Sequence, residues 1–170
     1  MKANFEASME HLMKSEGGFS NHPLDPGGMT NLGVTQKIWE AWVGHPVTEQ
    51  EMRALTPMLI GPMYKAKYWD KIAGDTLPSG LDYTVFDAAV NSGPGQAAKW
   101  LQRIVDVAAD GSIGPKTLIA IAQMDTKGIV KAFRDYRMSF LRDLPSYGTF
   151  GTGWSRRVVE VTDTAEQMIG

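Results

Sequence analysis

Cysteine is absent from the 170 residues. That excludes a disulfide framework, a thiol nucleophile and a thiolate metal site. Histidine is scarce: His11, His22 and His45, no two of them at the i, i+4 spacing of a helical zinc site. Neither sign of charge is in excess. With 17 basic and 19 acidic residues the net charge is −2, so there is no polybasic surface and nucleic acid is not an expected partner. No apolar run reaches the length of about 18 residues that a membrane span needs, so no membrane insertion is expected. The N-terminal segment carries Glu6, Glu10, His11 and Lys14 within its apolar pattern and does not read as a secretory signal. Phosphate-binding glycine loops and the Gly-x-Ser-x-Gly elbow are missing as well.

What is present is an ordinary globular composition. At 43% hydrophobic and 21% charged residues the chain can bury a core, and its length fits one domain by the usual prior of roughly 100–200 residues. The pattern along it is helical with one exception. Phe5, Met9, Leu12 and Met13 share a helix face, and Gly17-Gly18 ends that helix with Glu16 in its last turn. Residues 18–35 then hold Pro23, Pro26, Gly27, Gly28 and Gly33, which predicts a short irregular β-hairpin or loop over 19–34. Helical patterning returns at 36–43. Thr48-Glu49-Gln50-Glu51 reads as a capping box, and Thr56-Pro57 starts a helix that can run to Trp69 with a kink or a broken start at Pro62. Further helices are expected over 79–91, after Gly93-Pro94, after Gly114-Pro115, around Ile129 to Leu141, and over 154–168. The fold class is therefore mainly α with a small β element near the N-terminus.

One segment carries candidate chemistry. Glu16 closes the first helix, Asp25 follows nine residues later in the glycine-rich loop, and Thr30 comes five after that. If the loop folds back over the helix end, the three meet in one cleft. Two carboxyls in different surroundings suit glycoside hydrolysis: one gives a proton to the leaving oxygen, the other stays ionised to activate water or support positive charge. Glu16 is the better proton donor, because a helix C-terminus disfavours an anion by roughly 0.3–1 kcal/mol. Asp25, among loop amides, is the better anion, and Thr30 can orient the water with it. Taken singly, a Glu at a helix end is most often a solvated charge and an Asp before Pro-Gly is most often turn chemistry. Spacing alone makes the trio suggestive.

The residues Glu16-Gly17-Gly18, then Asp25, Gly27-Gly28, Thr30, Asn31 and Gly33-Val34-Thr35, resemble the N-terminal motif of glycoside hydrolase family 108. These are lysozyme-like muramidases of phages, prophages and bacteria. The resemblance continues through Tyr68-Trp69-Asp70, the stretch from Phe86 to Pro94, and Trp100-Leu101-Gln102. Asp110-Gly111-Ser112-Ile113-Gly114-Pro115-Lys116-Thr117 is similar to the signature of the family's predicted peptidoglycan-binding part, although Asp-Gly as a turn and Gly-Pro as a helix start account for most of its letters. The likeness runs from about Phe5 to Trp154.

The resemblance implies a lysozyme-like helical fold. It implies a catalytic region at 1–93 and a helical peptidoglycan-binding region at 94–170; with no linker between them, one packed body is expected. In that family the acid is the Glu of Glu-Gly-Gly, here Glu16. The Glu-to-Asp spacing is similar to that of the phage lysozymes, whose trio is Glu, Asp and Thr, with the Thr one residue later than Thr30. The implied reaction is hydrolysis of the β-1,4 bond between N-acetylmuramic acid and N-acetylglucosamine in bacterial peptidoglycan, with no metal or organic cofactor. A monomer is expected, accumulating in the host cytoplasm before lysis and reaching the periplasmic wall through a holin-type pore. By analogy, Asp87 and Asn91, four apart on one helix face, and Tyr68 line the sugar cleft. Tyr64 and Trp69 are candidates for ring stacking, against the commoner fate of aromatics in the core. Two alternatives stand beside this: a lytic transglycosylase using the same Glu without water, and a non-catalytic wall-binding or virion structural protein.

Overall fold

The structure, a computed structural model, describes residues 2–23 and 28–170. It is mainly α. Among the described residues there are nine α-helices and one two-stranded antiparallel sheet near the N-terminus. No helix among them is long and apolar enough to cross a membrane. The chain forms two compact units, Met9–Lys65 and Ala66–Gly170 with Met1–Ser8.

The smaller unit is built from strong local signals. Helix α1 (Lys2–Ser15) supplies Met9 and Leu12 to its interior. Strands β1 (Thr30–Asn31) and β2 (Val34–Thr35) pair Thr30 with Thr35 and Asn31 with Val34. Thr35 caps α2 (Gln36–Val43) by accepting from the Ile38 amide, and Gly44 ends it in the left-handed conformation. The Glu40 carboxylate ties α2 to the next connection, accepting from the Val47 amide at 3.0 Å and from Gln36 at 2.9 Å. These bonds hold that carboxyl below the usual range. The capping box forms on α3 (Glu49–Arg53), Thr48 and Glu51 satisfying each other's amides. Thr56 and Pro57 start α4 (Pro57–Tyr64). Pro62 does not break that helix. It lies on the exposed side, where water can replace its lost bond to the Met58 carbonyl, and the chain then widens into a π turn over Lys65–Trp69.

The larger unit is organised around α5 (Leu81–Ser92), buried continuously from Leu81 to Ala89. It packs against α6 (Pro94–Ile104), α8 (Thr126–Arg142) and α9 (Tyr147–Ile169), while α7 (Pro115–Ala122) follows the Gly114-Pro115 start. Phe5, Trp69 and Phe86 meet edge to face with centroids 5.3–5.9 Å apart. The compact units part in the chain after Lys65, within the region expected to be catalytic. Helix α5 is buried around most of its circumference, with Asp82, Thr84 and Asp87 among the buried side chains, and the helices after it enclose it.

Asp82, at the start of α5, is fully buried and accepts from Asn4 (2.8 Å), the Gly80 amide (2.9 Å) and the Tyr83 amide (2.7 Å). Burial pushes its carboxyl above the usual range against the pull of those bonds. A folded chain that holds the proton more tightly than the unfolded one loses that stability as pH rises through the folded value. Asp82→Asn, with the Asn4 amide turned to accept, keeps the contacts without the charge. Its melting temperature is expected to equal or exceed that of the wild type at about pH 8. Any advantage shrinks towards about pH 4, where the reference carboxyl protonates. Paired melts at the two pH values check this, and a variant melting well below wild type at the higher pH contradicts it.

Candidate active site

The chain beyond α1 is folded back on itself by backbone bonds. Ser20 and Thr30 exchange N–H···O bonds of 2.8 Å each, and the Leu32 amide donates to the Gly17 carbonyl at 3.1 Å. This is the reversal over the helix end that the glycine-rich segment predicts. The hairpin turns through Leu32 (φ 52°) and Gly33 (φ 77°), both left-handed, as a two-residue primed turn requires. The turn is held from two sides. Tyr64, 2% exposed, donates its hydroxyl to the Leu32 carbonyl at 3.2 Å, and buried Asn31 donates to the Met52 carbonyl at 2.8 Å.

These constraints press the turn against Glu16, which is half-buried. A Cβ built on Gly33 would stand 2.6 Å from Glu16 Oε2, 2.9 Å from its Cδ and 3.1 Å from the Tyr64 hydroxyl oxygen. Only a residue with no side chain and a free choice of φ leaves the carboxyl where it is. The other described carboxylates of this unit have local duties. Glu10 faces Lys14, Glu40 holds Val47, Glu49 pairs with Arg53, and Glu51 closes the capping box. Glu16 is the one set against the hairpin turn.

Gly33→Ala therefore carries two expected effects. The left-handed backbone costs about 1–2 kcal/mol for a residue with a Cβ. The methyl also displaces the Glu16 carboxyl, and misplacement on the order of 1 Å costs up to about 100-fold in rate. A fall in kcat of about tenfold or more, measured at a temperature where the variant is fully folded, is expected. Wild-type kcat in the variant would contradict this geometry.

The remaining sequence-predicted residues fall into different places. Thr30 sits in β1, its backbone shared between Ser20 and Thr35, on the same hairpin that meets Glu16. Asp25 lies outside the described residues. Asp87 is fully buried in the larger unit. Its Oδ2 accepts from Arg137 Nη1 at 2.7 Å and its Oδ1 from Arg157 Nε and Nη2 at 3.0 and 2.8 Å. A carboxylate so enclosed offers a sugar no surface, so the direct contact expected of it is replaced by an interior ion-pair role. Asn91 donates to the Asp87 carbonyl at 2.8 Å and is exposed at the end of α5. Tyr68 is half-buried in the π turn. Tyr64 and Trp69 are core residues, so neither is available for stacking; Trp69 donates to Asp75 at 3.0 Å.

The Asp110–Thr117 stretch behaves as turn and helix start, fastened by buried Gln102. Its amide donates to Asp110 at 2.7 Å and to the Ser112 carbonyl at 3.0 Å, and its oxygen accepts from Gly111 at 2.9 Å. The stretch lines an open pocket of about 480 Å³. Among the described residues no group of three or more His, Asp or Glu side chains converges to hold a metal.

A carboxyl held at a helix end beneath a glycine hairpin is the kind of group that acid-catalysed glycoside hydrolysis calls for. Comparison with known proteins agrees. Residues 9–93 match the family model Glycosyl hydrolase 108, and residues 96–159 match one described as Predicted Peptidoglycan domain. Among solved structures, SagA from Brucella abortus is 41% identical, with a TM-score of 0.87; the match covers 99% of this chain and 97% of that one. No curated protein matches the chain. The chain belongs to glycosyl hydrolase family 108, and the second match makes peptidoglycan its polymer. The two matched regions meet near residue 94, whereas the compact units meet after Lys65, so the family division follows motifs and the physical division follows α5.

Proposed function

We propose that this peptidoglycan hydrolase is an N-acetylmuramidase that hydrolyses the β-1,4 bond between N-acetylmuramic acid and N-acetylglucosamine, with Glu16 as general acid. The observation that carries the proposal is the Glu16 carboxyl set directly against the Gly33 turn, with the Tyr64 hydroxyl at the same point. Glu16 gives its proton to the glycosidic oxygen as that bond breaks, and N-acetylglucosamine leaves with it. Positive charge grows on the muramic C1 and ring oxygen. Water adds at C1, positioned by Asp25 with Thr30, and its proton passes to a carboxylate. Tyr64 and Asn31 act through the backbone: they fix the turn that fixes Glu16, and touch no sugar in this scheme.

Clearing of outer-membrane-permeabilised Gram-negative cells tests the proposal. Wild-type protein is expected to lower the turbidity and to release new reducing ends. A folded protein that sediments with the wall but neither clears it nor releases reducing ends would favour a wall-binding role without catalysis.

A further inference from the structure

The larger unit carries a cluster that hydrolysis at Glu16 does not use. One buried carboxylate, Asp87 on α5, faces two guanidiniums, Arg137 on α8 and Arg157 on α9. The trio keeps one positive charge in excess. The Nε of Arg137 is buried and has no acceptor among the described residues, so the fold alone leaves this cation under-satisfied. Arg157 is the partly exposed member, at 18% against 5% for Arg137. Glu160, one turn further along α9, is exposed, so its charge is largely screened.

The same two arginines line a pocket of about 160 Å³ together with Asn91, Ser92, Leu144 and Trp154. Its chemistry is divided. The arginines give it positive charge, Asn91 and Ser92 give neutral polar groups, and Leu144 and Trp154 give an apolar wall. Trp154 is itself stacked on Phe150, with centroids 5.8 Å apart and planes 30° apart. Asp87 fixes the Arg157 fork by taking two of its N–H groups on one oxygen, which pre-orients a cation for a second anion. The space is small and suits a single compact group. A carboxylate carried on a small apolar group is the ligand that satisfies all three surfaces.

We propose that this pocket binds the terminal carboxylate of a peptidoglycan stem peptide, with the carboxylate towards Arg157 and the D-alanyl methyl against Trp154 and Leu144. The proposal rests on the assignment of peptidoglycan as the polymer this chain acts on. It gives the larger unit a ligand-recognition role distinct from sugar cleavage, and it gives Asn91 a peptide contact in place of the sugar contact expected of it.

The test titrates the whole chain with the tetrapeptide L-Ala-γ-D-Glu-meso-diaminopimelate-D-Ala and with the same peptide amidated at its C-terminal carboxyl. The Trp154 indole N–H resonance is followed, assigned by its loss in Trp154→Phe. A saturable shift with the acid and at least about tenfold weaker binding of the amide are expected. Leu144→Glu, with an unchanged melt, is expected to weaken the acid peptide at least about tenfold by placing like charge in the pocket. If that variant melts early, Ser92→Asp at the same pocket makes the same test. Equal binding of acid and amide, or no shift with either, overturns the proposal. Inorganic phosphate shifting Trp154 as strongly as the peptide overturns it in favour of a general anion site. Peptide binding is read without any cleavage, so absence of a shift and absence of wall clearing are separate failures.

Discussion

Glu16→Gln is expected to slow wall cleavage by at least about 100-fold, the low end of what a positioned acid contributes, while leaving the thermal melt unchanged. Glutamine has the same length and planar end, so it fits against Gly33 as the carboxyl does. Its amide cannot supply a proton to the leaving oxygen. The turn above it is held by Tyr64, Asn31 and the Leu32–Gly17 bond, which the substitution leaves in place. Turbidity clearing at equal protein concentration gives the rate, and the melt controls for folding. Equal clearing by both proteins would place the acid elsewhere.

Asp87→Ala is expected to destabilise the larger unit by about 3–5 kcal/mol. The substitution leaves Arg137 a buried cation without its carboxylate and sets Arg157 against it as like charge. For a chain of this size each kcal/mol moves the melt by about 2–4 °C, so a fall of roughly 10 °C is expected. Lost packing alone would also lower the melt, and a second substitution separates the two causes. Arg137→Met in the Asp87→Ala background removes the stranded charge and is expected to recover part of the loss. A single variant melting within about 2 °C of wild type, or a double variant lower than the single, would contradict the ion-pair account.

Much of the fold was legible because its signals are local. The Thr48–Glu51 box, Thr56-Pro57, Gly93-Pro94 and Gly114-Pro115 each act within one turn of where they stand in the sequence, and each marks a helix end in the structure. The candidate acid was legible for a similar reason, as a helix end followed by a reversing loop. What holds it was not. Tyr64 reads as one more aromatic of a helix, and its bond to Leu32 spans 32 residues. Asp87 reads as one half of an i, i+4 pair with Asn91, yet its partners lie 50 and 70 residues away. No periodicity reports such a pairing. The division into units was hidden likewise, since motif order places α5 with the first region while its unbroken burial places it among the helices that follow.

The bond cleaved and the use of water are tested together by digesting purified peptidoglycan in water enriched in heavy oxygen and weighing the released fragments. The account requires one heavy oxygen at C1 of a reducing N-acetylmuramic acid, present with wild type and absent with Glu16→Gln. Unlabelled 1,6-anhydro ends, or label on reducing N-acetylglucosamine, would contradict it.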